Sequence, residues 1–127
     1  MSTESPAETG SKVGLEQVKL LFDYTKFHIG LYTGVITVLV AGLNLRSTLR
    51  WPVEPTWLGI SIIFIAVAGL AGGVIASSLP HFSTIGAFWD AEIGPFRSRL
   101  FRGETWTYIE HTAFWIGVIS GLVALLR

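Results

Sequence analysis

The chain has no cysteine. Disulfides, thiolate catalysis and cysteine-ligated metal or iron–sulfur centres are therefore excluded. Charge is also scarce. Asp, Glu, Lys and Arg make up 14% of the residues, against roughly 25% in a soluble globular domain. The nine acidic and nine basic residues cancel, so global charge gives no reason to expect a nucleic-acid partner. The first residues, MSTESPAETGSKVG, lack an apolar core and do not form a signal peptide. Their polar, Pro- and Gly-containing composition predicts a disordered tail over 1–14.

What is abundant is apolar surface, in three long runs. A helix needs about 20 apolar residues to cross roughly 30 Å of hydrocarbon. Phe27 to Leu45, Trp57 to Leu79 and Tyr108 to Leu126 meet that length. The reading is an all-α integral membrane protein, one domain over 15–127, with three transmembrane helices. Three buried soluble helices in so short a chain leave too little polar surface to cover them. The runs are too long, and too rich in Gly and Ala, for strands.

The flanks fit membrane interfaces. Trp51, Trp57, Trp106, Tyr108 and Trp115 lie near span ends, where amphipathic rings concentrate. Pro80 follows the second span and cannot continue it. Thr107 and Glu110 have the spacing of a capping box at the third, placing Glu110 and His111 at headgroup level. Leu15–Lys26 predicts a helix that joins the first span as a cytoplasmic extension, with Glu16, Lys19, Asp23 and Lys26 on one face. Leu15, Val18 and Phe22 form another face, suited to a lipid surface or a partner. The long connection from Pro80 to Trp106 carries Phe82, Ile85, Trp89, Ile93 and Phe96 near helical spacing, which suggests an interfacial helix. Arg97, Arg99 and Arg102 follow as candidate contacts to anionic headgroups.

Basic residues set the orientation. Lys12, Lys19, Lys26, Arg97, Arg99 and Arg102 share one side; Arg46, Arg50 and Arg127 share the other. The positive-inside rule puts the N-terminus in the cytoplasm and the C-terminus outside a bacterial inner membrane.

Each span holds a G-x-x-x-G: Gly30/Gly34, Gly69/Gly73 and Gly117/Gly121, with Gly72 extending the second series. Small residues at this period let helix backbones approach where lipid removes the hydrophobic drive. Packing within one bundle explains some of them. A groove on every span favours a homo-oligomer or a larger membrane-protein complex. The interior hydroxyls, Thr33, Thr37, Ser61, Ser77, Ser78, Thr112 and Ser120, are expected to bond back to helix carbonyls.

Three histidines fall on one side: His28, His81 and His111, with Glu110 adjacent. Imidazoles and a carboxylate at one level suit a divalent metal, and His28 with His111 suit two axial haem ligands. This plan resembles the haem-anchor subunits of respiratory dehydrogenases, a likeness resting on those two histidines; the Arg/Ser pattern of a quinone site is missing. The competing reading is ordinary interfacial hydrogen bonding. No nucleophile elbow, Walker loop, H-E-x-x-H or dinucleotide fingerprint is present, so no enzyme is expected. The leading expectation is an accessory or scaffold subunit assembling through Gly/Ala-rich faces. The others are an oligomeric pore or membrane-perturbing effector, and a haem- or metal-binding redox anchor.

Overall fold

The computed structural model describes residues 6–49, 53–95 and 101–126. It is all-α, with α1 over Pro6–Leu49, α2 over Pro55–Ser78, α3 over Ile85–Asp90 and α4 over Gly103–Leu126; a single 3-10 turn, Leu79–His81, follows α2. Three of these helices are long and apolar enough to cross a membrane.

α1 runs unbroken from Pro6, as expected for Leu15–Lys26 joined to the first span. It corrects the expected tail over 1–14: residues 6–14 are helical, and 1–5 lie outside the described residues. Gly14 explains part of this, because it packs against the Ser83 carbonyl, where an added Cβ would come within 3.1 Å. At 44 residues the helix is about 66 Å long, twice the hydrocarbon thickness. Glu16, Lys19, Asp23 and Lys26 are exposed, as their spacing implied; Val18 is buried, whereas Leu15 is exposed.

α2 is the central helix, antiparallel to α1 and α4 and packed against both. Its start is fixed by Glu54, whose carboxylate accepts from the Trp57 N–H at 2.8 Å, with Pro55 at the first helical position. The Glu54 N–H also donates to the Ala124 carbonyl at 3.0 Å, satisfying one carbonyl that the end of α4 leaves open.

The seam between α2 and α4 is lined mostly by small residues, with the larger Leu58, Ile65 and Ile75 of α2 buried among them. Buried positions between α2 and α4 include Ser61, Ala68, Ala71, Gly72, Gly117, Ser120, Gly121 and Ala124, while Ile63, Leu70, Ile119 and Leu122 face outward. Small residues at the seam let the two backbones approach closely, as helices in lipid favour. Ser61 Oγ donates to the Gly117 carbonyl at 2.7 Å. Thr33, Thr37, Ser77 and Ser78 instead bond back to carbonyls of their own helices.

The connection between α2 and α4 departs from the expected interfacial helix. Among the described residues of the connection, Ile85–Asp90 is the only α-helical stretch, capped by Thr84. The chain then closes on itself, with Ile93 N–H on the Phe101 carbonyl and Gly103 N–H on the Ala91 carbonyl, both at 3.1 Å. The buried anchor is Phe88, packed with Val18, Ile75, Leu79 and Ile93. Gly94 turns the chain at φ +87° beneath the Trp106 ring, a conformation glycine adopts without penalty. Phe96, Arg97 and Arg99 lie outside the described residues, as do Arg50 and Arg127; Arg102 is exposed.

Candidate functional site

α4 starts at Gly103, not near Tyr108. The reason is packing: Gly103 passes directly under the Phe88 carbonyl, where no side chain fits. This early start changes the setting of Glu110. Thr107 lies inside the helix, its hydroxyl donating to the Gly103 carbonyl at 3.1 Å, so the expected capping box does not form. Glu110 is about 10 Å along α4, and it is turned into the bundle with 2% of its surface exposed. Its burial keeps it out of open contact with solvent.

Four polar side chains meet there. The Tyr32 hydroxyl donates to Glu110 Oε1 at 2.9 Å. His28 Nδ1 stands 3.5 Å from the same oxygen, and it is buried without a hydrogen-bond partner. His111 Nδ1 stands 3.9 Å from Oε2 and 2.9 Å from the Thr107 carbonyl. A carbonyl only accepts, so this Nδ1 carries hydrogen. The carboxyl therefore has two distinct sides, Oε1 toward α1 and Oε2 toward His111. Gly72 of α2 makes room for it: a Cβ there would lie 3.4 Å from Oε1 and 3.2 Å from Ile29 Cγ1.

Aromatic rings frame the group. Tyr24 tilts over His28 with centroids 4.0 Å apart, and Tyr32 packs on Phe114 at 5.2 Å. Next to it, a cleft of about 600 Å³ is lined by Trp89, Glu104, Thr107, Tyr108 and His111. His111 belongs to both, its side chain 43% exposed against 16% for His28.

Of the expected site residues, the structure thus brings together His28, His111 and Glu110. His81 lies apart, exposed in the turn after α2. Tyr32, the fourth member, was not anticipated, although it sits one helical turn beyond His28 and shares its face.

No family model, curated protein or solved structure matches the chain. Among the described residues, no three His, Asp or Glu side chains are grouped to hold a metal ion. The His28 and His111 rings are in edge-to-face contact, centroids 5.9 Å apart. The arrangement suits proton donors and acceptors. A buried carboxyl has one good hydrogen bond, a nearby imidazole lacks one, and a second imidazole connects them to open space.

The small-residue series divide sharply. Gly117 and Gly121 are packed under Ile65 and Ser61, and Gly69 lies against Tyr32. Gly30, Gly34 and Gly73 have nothing within 4 Å of a would-be Cβ. Gly30 and Gly34 floor a shallow groove on the outer face of α1, walled by Leu31, Val35, Val38 and Leu39.

Proposed function

We infer that the protein is a non-enzymatic, three-span subunit of a bacterial inner-membrane assembly, and that α1 joins it to a second copy of itself. The observation that carries this reading is the unequal covering of the three spans. Of the apolar window of α1, 6% is buried, against 39% in α2 and 33% in α4. The glycines of α4 are consumed by contact with α2, while Gly30 and Gly34 on α1 touch nothing. A two-glycine groove flanked by β-branched and leucine ridges fits the same surface on an identical helix, giving a two-fold contact in which backbones approach closely.

The Lys and Arg distribution supports a cytoplasmic N-terminus and an outer C-terminus. The exposed Glu16, Lys19, Asp23 and Lys26 would then face the cytoplasm on the projecting part of α1.

Gly30→Leu with Gly34→Leu tests the reading, because nothing inside the protomer meets those positions. The double variant should stay folded and thermally stable, yet shift from dimer to monomer when its mass is measured in mild detergent. A wild-type monomer in both detergent and lipid overturns self-association; a mixed assembly lost in the variant replaces the second copy with a different partner span.

A further inference from the structure

We propose that Glu110 is the centre of a proton relay, taking a proton at Oε2 from His111 and passing one from Oε1 to His28. Three features of the geometry point to this.

First, the carboxyl is buried in an apolar bundle beside imidazoles and phenols only. The titratable groups facing the relay are Tyr24, His28 and Tyr32 from α1, and His111 beside Glu110 on α4, with Glu104 and Tyr108 in the adjoining cleft; α2 presents Gly72. An isolated carboxylate in such a medium is strongly disfavoured, by several kcal/mol even after relaxation. One proton shared between Glu110 and His28 can be arranged in two ways, as acid and neutral imidazole or as carboxylate and imidazolium. Both arrangements are neutral overall, so moving the proton separates no net charge from the pair.

Second, His28 Nδ1 is a buried polar atom without a hydrogen bond, and its nearest acidic oxygen is 3.5 Å away. A native protein satisfies nearly all such atoms. A small rotation of either side chain closes this gap to hydrogen-bond reach. The orphan is what an unloaded proton acceptor looks like. Tyr32, donating to Oε1 at 2.9 Å, is a positioning residue that fixes which oxygen faces His28.

Third, the relay has an entrance. His111 lines the cleft, while its Nδ1–H is turned inward on the Thr107 carbonyl. Protonation of Nε2 from the cleft gives an imidazolium. Transfer of the Nδ1 proton to Oε2, 3.9 Å away, leaves neutral imidazole with hydrogen on Nε2. In the same step the carboxylic acid gives up the proton on Oε1 to His28 Nδ1, so the carboxyl passes from one neutral acid form to the other, never holds two protons, and leaves the positive charge on His28 as an imidazolium. One proton enters from the cleft and one arrives at His28, which is partly exposed on α1. The relay runs sideways between helices, within one half of the bundle. Farther along, Ser61 is engaged with the Gly117 carbonyl.

The test uses the full chain in lipid vesicles with isotope-labelled glutamate, read by infrared difference spectroscopy. At a pH low enough to populate the acid form, a protonated carboxyl C=O band should be present, and it should vanish in Glu110→Gln, whose amide still accepts from Tyr32. On transfer to heavy water the band should shift. In His111→Phe the rate of that shift should fall by roughly 100-fold, the scale expected for losing a proton-transfer group. His111→Gln, which keeps a donor for the Thr107 carbonyl, gives the same readout if the Phe variant misfolds. An acid band that survives in Glu110→Gln, or an unchanged exchange rate in both His111 variants, overturns the proposal. Neither result depends on whether the protein dimerises.

Discussion

The Tyr32 hydroxyl donates to Glu110 Oε1 across a sequence separation of 78 residues, joining the first membrane helix to the third. α1 and α4 make few backbone approaches to one another, since both pack mainly on α2. The side chains of this cluster are the principal polar link between them.

Tyr32→Phe should therefore loosen α1 while leaving α2 and α4 together. Interhelical hydrogen bonds in membranes are worth about 0.6 kcal/mol on average and up to about 1.7. A carboxyl acceptor that keeps no other good hydrogen bond puts this one near the upper figure. Unfolding in mixed micelles, followed by a fluorescent label on α1, should show the loss. An unchanged midpoint would mean that water or lipid supplies an equivalent donor.

Gly72 and Gly73 offer a paired comparison. Gly72→Leu drives side-chain atoms into Ile29 and Glu110, and overpacking of this kind costs about 1–3 kcal/mol. Gly73→Leu meets nothing within 4 Å and replaces a poor helix former, a gain of up to about 1 kcal/mol. Thermal unfolding in detergent should separate the two variants in opposite directions. Equal destabilisation would contradict the helix register described above.

The closed connection depends on two glycines. Gly103→Ala forces a Cβ onto the Phe88 carbonyl oxygen, and Gly94→Ala places one 3.0 Å from the Trp106 ring at a positive φ. Left-handed backbone alone costs an L-residue about 1–2 kcal/mol. Limited proteolysis should cut both variants between α2 and α4 faster than the parent protein, Gly103→Ala more severely because its clash is with backbone.

Glu54→Ala removes the side-chain acceptor at the start of α2, worth about 0.5–2 kcal/mol. Glu54→Gln keeps a carbonyl oxygen in place and should retain most of that stability. If both substitutions destabilise equally, the negative charge at the helix start matters more than the hydrogen bond.

The three spans were legible because lipid demands long apolar runs, and nothing else in the chain competes with that signal. Their ends were less so. Hydropathy places the third span at Tyr108, since Gly103–Thr107 is polar, yet the helix begins where Gly103 can slide beneath Phe88. That displacement hid the burial of Glu110 and made Thr107 resemble a cap. Phe88 itself was missed because Ile85, Trp89 and Ile93 drew the helical period through the wrong residue. His28, His111 and Glu110 were visible as chemistry, but their meeting required knowing which faces of α1 and α4 turn inward. Tyr32 resembled any span aromatic until Glu110 stood opposite it. The glycine pairs carried no information about which would be used: identical motifs on α1 and α4 have opposite fates.

The bond from the Glu54 N–H to the Ala124 carbonyl has a topological corollary. It fastens the last turn of the chain to the first turn of α2, while the Ala91–Gly103 closure fastens their other ends. Helices α2 and α4 are thus locked as a hairpin at both tips, and α1 is attached to it by one covalent tether. A gene split between Leu49 and Val53 should accordingly yield two fragments that insert separately and reunite into the native arrangement.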